Sequence, residues 1–503
     1  MTVLWAPGPA PLRAVLTFGC GVRDETFRSI GVTHLIEHLA MGTLPRLHHE
    51  HNASVDLEAT RFYAAGRPDQ IVSFLERICL ALGNLPGERT EREAGVLTAE
   101  GGGATHPTAA AMLTRRFGTQ GYGLELWTGP GYDRITPEMV SKHAAGFFVT
   151  GNAVLQLTGP PPEGLRLPLP PGARARHDGF VPFVSRSPSW SAEPVPGVGL
   201  SLLGAAPCPA WTIGMAVLEQ RLTRKARRDQ GLSYEIDGEV ATFSRDRFDR
   251  MIWIDARKGR EAEVAGILWD TVCELAVEGP TEEEIDEEVL AFKELFADHR
   301  AVEQELDLAA HAELFGLDYH CPEDLIARMA GVTPQDIADR FREAIPTASV
   351  VVPEDCRVAL TDPDGKPVGE RGRSCPRTMP VGRTWRPPMI ARAISAAARR
   401  VKLVLAADGL AMCDPDGDVH QIAFADVVGM AIDGDSRVVF GRNGCVVHVD
   451  HTLFTGIDVV LAALDANVPE HLHYTPSTLN GAGPLHPLDQ PVPRQGVDRI
   501  SLV

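Results

Sequence analysis

Apolar and polar positions near the start of the chain follow two periods in turn. Residues 14–18 read as a strand ending at Gly19 and Gly21, and residues 30–41 read as a helix. Residues 55–64 interleave β-branched and aromatic side chains with charges, which predicts a second strand. The spacing of Ile71, Phe74, Leu75, Ile78 and Leu82 predicts a helix over residues 70–85, and residues 88–100 read as another. One pattern recurs. Thr136-Pro137 and Thr333-Pro334 each open a helix with a hydroxyl cap and a first-turn proline, and each helix is followed by an apolar strand, residues 153–158 and 349–352. The two starts are roughly 200 residues apart, which predicts two copies of one α+β unit of that size.

A Pro/Ser-rich stretch, residues 182–196, separates the copies, and a Pro/Gly/Arg-rich stretch, residues 362–388, follows the second. Beyond it the period shortens. Residues 402–406, 411–413, 421–424, 427–432, 437–440 and 445–449 read as short strands with Asp-Gly turns, closed by a helix over residues 456–464. The last residues, from 475 to 496, are rich in Pro and Gly and are expected to be mobile.

Composition narrows the class. The chain has 503 residues, 44% of them hydrophobic, enough for several cores. Asp and Glu number 67 against 48 Lys and Arg, a net charge of −19 that opposes nucleic acid and anionic membrane. Nine cysteines without a C-x-x-C pair favour reduced thiols in a cytoplasmic setting. The first ten residues lack a signal-peptide pattern, and no apolar stretch reaches membrane-spanning length.

The candidate chemistry lies on the first helix. His34-Leu35-Ile36-Glu37-His38 places two imidazoles four residues apart, on one face, where both can grip one ion. Glu37 stands beside that face, where it can reach a water held at a metal. Neutral imidazoles suit zinc, and a catalytic zinc needs a third protein ligand and an open position. Alone, the motif is a weak signal that reads more readily as a solvated helix turn. Its surroundings add Gly31 and Thr33 before it, Met41-Gly42-Thr43 after it, the run Asn52-Ala53-Ser54-Val55-Asp56, and Glu93-Ala94-Gly95-Val96-Leu97-Thr98-Ala99-Glu100.

With these parts together the sequence resembles the pitrilysin/insulinase family of inverted-motif zinc peptidases, and more closely its mitochondrial-processing-peptidase branch of two-domain subunits. The resemblance covers roughly the first three quarters of the chain. It implies that His34, His38 and Glu100 bind Zn2+, that Glu37 is the general base, and that Glu93 supports catalysis from behind the ligands. Glu93 and Glu100 are two helical turns apart and face one side. Arg227-Arg228-Asp229-Gln230-Gly231-Leu232-Ser233-Tyr234 is similar to the family's R-x-x-x-G-L-x-Y segment, which implies that Arg227 and Tyr234 donate to the substrate carbonyl. Asn52 and Ala53 fall on the matching substrate-binding strand edge, residues 52–59. The interval from His38 to Glu100 is shorter than usual in the family, and the missing length lies in residues 44–51. His48, His49 and His51 in that interval read as a solvated loop rather than a second metal site.

The resulting expectation is an α+β protein of two homologous processing-peptidase-like sandwich domains followed by a small barrel resembling a pleckstrin-homology (PH) domain. The boundaries are residues 1–190 for the catalytic domain, 191–375 for its partner, 376–384 for a linker, 385–473 for the PH-like module and 474–503 for a flexible tail. The expected function is zinc-dependent cleavage of short or unfolded peptides in a closed chamber, including removal of leader or pre-sequences. The expected assembly is a homodimer or a heterodimer with a related subunit, without nucleic acid or membrane insertion. The alternative is a non-catalytic or partner-dependent peptide-binding subunit. The C-terminal module reads as a docking or dimerisation element.

Overall fold

The computed structural model describes residues 1–101, 103–177, 180–183, 187–371 and 378–476. Cys375 and nearly all of the expected tail lie outside the described residues. The first sheet takes strands β1 (Thr2–Trp5), β2 (Leu12–Phe18), β3 (Glu50–Val55), β4 (Thr60–Gly66) and β5 (Ala153–Leu157) in the order β1-β5-β2-β4-β3. Its helices are α1 (Val32–Met41), α2 (Pro68–Gly83), α3 (Thr90–Glu100), α4 (Pro107–Phe117) and α5 (Pro137–Phe147). Ala14, Leu16 and Phe18 of β2 point onto α1 and α2, where Leu35, Ile36, Phe74 and Ile78 complete one core.

The predicted single strand over residues 55–64 is instead a hairpin. Asp56 Oδ1 accepts the backbone N–H groups of Glu58 and Ala59, both at 2.7 Å, and turns the chain between β3 and β4. An aspartate that bonds its own downstream amides competes with the extended ladder, which outweighs the strand preference of its neighbours. The edge strand is therefore Glu50–Val55. Thr136 and Thr333 cap their helices as expected, accepting from the Met139 and Asp336 amides.

The second unit repeats the first. Strands β6 (Ser189–Glu193), β7 (Gly197–Ala205), β8 (Ile236–Ser244), β9 (Arg247–Asp255), β10 (Ser349–Pro353) and β11 (Gly369–Glu370) run in the order β11-β6-β10-β7-β9-β8. With β11 set aside, this matches the first sheet strand for strand. β1 and β5 are parallel, as are β6 and β10, and the added β11 also runs parallel to β6, while the remaining neighbours in both sheets are antiparallel. The helices here are α6 (Pro209–Leu222), α7 (Glu261–Val277), α8 (Glu282–Ala297), α9 (Val302–Phe315), α10 (Pro322–Met329) and α11 (Pro334–Ala344). β6 lies inside the stretch read as a linker, because Ser189, Trp190 and Ser191 are needed to cover the flank of β10.

The units exchange helices. α4, which follows the metal-side segment, packs on the far face of the second sheet, where Ala109, Met112 and Leu113 meet Met251, Trp253 and Val351. α9 returns the exchange, placing Ala310 and Leu314 against Val154 of the first sheet. Both sheets are thus covered on both faces, which is why β5 is buried throughout and apolar except at Gln156. Arg116 of α4 crosses the seam, donating to Ser201 Oγ at 2.8 Å and Thr347 O at 2.6 Å, with Asp249 at 3.9 Å.

The C-terminal region contains β12 (Arg383–Trp385), α12 (Met389–Ile394), α13 (Ala396–Arg400), β13 (Lys402–Leu405), β14 (Gly409–Cys413), β15 (Val419–Ala423), β16 (Val427–Asp433), β17 (Ser436–Gly441), β18 (Val446–Val449), α14 (Asp458–Asn467) and β19 (His473–Tyr474). The strand series agrees with the sequence pattern, but the expected PH-like barrel is not confirmed. The strands form two four-stranded sheets, β12-β13-β14-β15 and β18-β17-β16-β19, and among the described residues neither closes into a barrel. Val460 and Leu464 of α14 fill the core between them. β11 and β12 lie inside the stretch read as the second linker. No described helix is long and apolar enough to cross a membrane.

Glu58 ties the two units. Its carboxylate accepts from Tyr122 Oη at 2.5 Å, Thr242 N at 2.6 Å and His311 Nε2 at 2.9 Å, with Arg23 Nη1 at 3.2 Å. Burial pushes this carboxyl up, but Arg23, His311 and Tyr122 outweigh it and hold it down at about 2. Because the folded pKa lies below the unfolded value of about 4.3, the stabilisation is complete above that pH and is lost as pH falls towards 2. We expect Glu58→Gln to lower stability at pH 7 by a few kcal/mol, of order 3, with the gap to wild type closing between about pH 5 and 2. Urea denaturation across that range measures it.

Candidate metal centre

The helix carrying the two histidines begins under a specific constraint. Gly31 precedes α1 with φ +86°, and a Cβ there would stand 2.2 Å from the Tyr132 ring. That combination of left-handed backbone and close contact requires glycine. The free amides of the first turn are met by Glu25, whose carboxylate accepts from Gly31 N at 2.7 Å and Thr33 N at 2.9 Å. Thr33 Oγ1 lies 3.1 Å from His143 Nε2 of α5, which ties the same turn to a second helix.

α1 and α3 cross so that their functional side chains converge. One donor atom each of His34, His38 and Glu100 lies within 4.8 Å of the others. His38 Nε2 is 3.5 Å and His34 Nε2 is 4.0 Å from Glu100 Oε2. The two rings stand nearly perpendicular, 84° apart, with centroids 4.9 Å apart. Ligands about 2.0–2.1 Å from a tetrahedral zinc are about 3.3–3.4 Å from one another, so a small closing movement suffices. Two imidazole nitrogens and one carboxylate also leave one position open, the donor set of a catalytic rather than a structural zinc. Burial, then the neighbouring His38, pull His34 down to about 4, which keeps the ring neutral and its lone pair available at pH 7. Among the described residues this is the one such grouping, and His48, His49 and His51 do not make a second.

Two further glutamates flank the group. Glu37 Oε2 lies 3.4 Å from His34 Nε2, and its side chain is 10% exposed. Burial, then the charge of Glu100, push its carboxyl up to about 7. Glu93 Oε2 lies 4.0 Å from His38 Nδ1, behind the ring, where it can orient the imidazole so that Nε2 faces Glu100. Arg89 fixes the crossing. It donates to Gly42 O at the end of α1 at 2.6 Å and to Glu93 Oε1 at 3.1 Å. Sequence reasoning missed Glu25 and Arg89. Glu25 sits six residues ahead of the amide it caps, outside any capping box, while Arg89, four residues before Glu93, carried a helical-pair signal.

The remaining expected residues are elsewhere. Arg227 lies in a π-helical turn, Thr223–Asp229, with its guanidinium 5.3 Å from the centre of the Tyr234 ring. Tyr234 is 77% exposed. Among the described residues, no hydrogen bond or ion pair joins this pair to the His34–Glu100 group. Asn52 and Ala53 lie on β3, which among the described residues pairs on one side only, with β4. A cavity of about 620 Å³, lined by Arg13, Arg61, Tyr63, Asp307 and His311 among others, lies along the seam between the units and includes none of the metal-side residues.

The fold is similar to that of solved M16 peptidases and related domains. A peptidase M16 inactive domain from Pseudomonas fluorescens superposes with a TM-score of 0.55 at 15% identity, over 74% of this chain and 96% of that one. A protease from Helicobacter pylori gives 0.53 at 15% identity, over 70% and 96%. The first half of a periplasmic protease from Escherichia coli gives 0.51 at 14% identity, over 70% and 89%. No family model matches the sequence, and no curated protein sequence does. The likeness is one of fold, and it agrees with the pitrilysin/insulinase resemblance read from the motifs.

Glu25→Ala leaves two first-turn amides without a partner, and we expect it to lower stability by about 1–3 kcal/mol. Glu25→Gln, which keeps one acceptor, should lose less. Chemical denaturation of both variants checks the order, and equal losses would contradict the capping role.

Proposed function

We propose that this chain, which has the fold of the M16 peptidases, is a zinc metalloendopeptidase. His34, His38 and Glu100 hold the ion, Glu37 is the general base, and Glu93 orients His38. The observation that carries this reading is the meeting of two imidazole Nε2 atoms and a carboxylate from separate helices, beside a second, buried carboxylate.

Zinc held there would supply Lewis acidity, lowering the pKa of water towards about 7 and polarising a peptide carbonyl. Glu37, buried beside the ligand group, is placed to take a proton from the attacking water and pass it to the departing amine. Glu93 keeps the His38 ring in place, and Arg89 holds Glu93 in turn. Arg227 and Tyr234 act as donors to the scissile carbonyl region. The open side of β3, with Asn52 and Ala53, offers backbone groups to which an extended peptide adds as a strand, so substrates are short or unfolded peptides. Leader or pre-sequence removal is the processing role this favours. A second subunit, identical or related, would close the chamber. Among the described residues the eight cysteines form no disulfide, which suits a reducing, cytoplasmic setting.

A second reading is a subunit that holds peptides without cutting them. It is favoured by the inactive domain among the structural neighbours and by the lack, among the described residues, of any hydrogen bond or ion pair between the Arg227–Tyr234 pair and the metal side. One pair of variants decides between them. Glu37→Gln should retain bound zinc and lower cleavage of a quenched fluorescent peptide by about 10²- to 10⁴-fold. Equal rates in the two proteins would sink the peptidase reading. His38→Ala should lose zinc by elemental analysis, and full metal content in that variant would remove His38 from the ligand set.

A further inference from the structure

We propose that the C-terminal module is an intramolecular brace for the metal centre, holding at once the segment that leads into α1 and the segment that follows α3. The inference rests on the metal-site reading above. It begins with Phe27, which sits in a short helical turn, Phe27–Ser29, between Glu25 and Gly31 and is 3% exposed. Its ring lies 4.7 Å from Phe440 of β17 and 6.1 Å from Trp127, and Trp127 lies 5.9 Å from Phe440. Tyr474 of β19 adds a fourth ring 6.3 Å from Phe27, with the Arg28 guanidinium 5.1 Å from its centre. This buried aromatic cluster belongs to neither the first unit nor the module alone.

The other arm is a backbone clasp. Thr119 N donates to Arg442 O at 3.1 Å, and Thr119 Oγ1 donates to Gly441 O at 2.6 Å. Gly118 has φ +69°, and a Cβ there would stand 2.2 Å from Arg442 O, so the two backbones touch where only glycine fits. The clasp anchors residues 118–127. Within them Tyr122 bonds Glu58, and Glu125 accepts from Thr105 N at 2.9 Å, in the loop that leaves Glu100.

One module surface therefore grips the approach to His34 and His38 and the departure from Glu100. Ligands on two separate helices keep their geometry only if the supports of both are fixed to a common body. Phe27, Thr119 and Phe440 are positioning residues in this sense, since none of them touches the ligand set.

The test uses the full chain with Phe440→Ala, which deletes a ring of the cluster, and Thr119→Val, which deletes one clasp bond. Val272→Ala, in the separate core of the second unit, controls for general loss of stability. Amide hydrogen exchange without added metal should accelerate about tenfold over residues 25–36 and 98–105 in Phe440→Ala, and less in Thr119→Val, while Val272→Ala leaves those segments unchanged. Zinc affinity, from competition with a chromophoric chelator, should fall about tenfold in Phe440→Ala and be unaffected in the control. Exchange and affinity within twofold of wild type in Phe440→Ala would overturn the brace. Should Phe440→Ala not fold, the same criterion applies to Thr119→Val. If wild type itself binds no zinc, the metal reading fails, and the exchange data still decide the brace.

Discussion

Everything at the candidate site depends on the angle at which α1 meets α3. The first helix supplies two imidazoles and a buried carboxylate, and the second supplies Glu93 and Glu100. Neither helix can hold a metal alone, and an error of an ångström at their crossing would separate the donors. Arg89 is the direct link, since one guanidinium bonds both the Gly42 carbonyl just past α1 and the Glu93 carboxylate. Glu25 sets the other end of α1 by capping amides that would otherwise be unpaired. Helix ends, rather than the ligands, carry the positional information.

The wider fold protects that crossing by making the two units inseparable. α4 and α9 each complete the core of the opposite sheet, so neither sheet has both faces covered unless the other is folded. The seam is polar where it crosses between units. Burial pulls Arg116 down and pushes Asp249 up, so desolvation there exceeds the attraction of the pair. At Glu58 the balance runs the other way, because a buried arginine and three direct hydrogen-bond donors surround one carboxylate.

Much of this was legible in the amino-acid order. The His34–His38 spacing, the Glu93–Glu100 spacing and the two Thr-Pro helix starts are local patterns whose consequences follow from helical geometry alone. The strands of the C-terminal module were readable within a few residues for the same reason. Errors arose where a side chain competed with its own backbone, as Asp56 does between β3 and β4, or where tertiary pairing recruited an unpromising stretch, as β10 recruits β6. The exchange of α4 and α9 left no local mark, because a helix looks equally amphipathic whichever sheet it covers.

The chain by itself thus determined the chemistry on offer: which donors exist, which share a helix face, and that one α+β unit occurs twice. Only the tertiary structure decided which of those donors meet, that Glu25 and Arg89 support them, and that the C-terminal module grips Phe27 and the Gly118–Thr119 turn beside them. The division has a physical cause. Periodicity and capping act over a few residues and are written in the sequence, whereas the crossing of two helices is set by packing and hydrogen bonds between segments far apart in the chain.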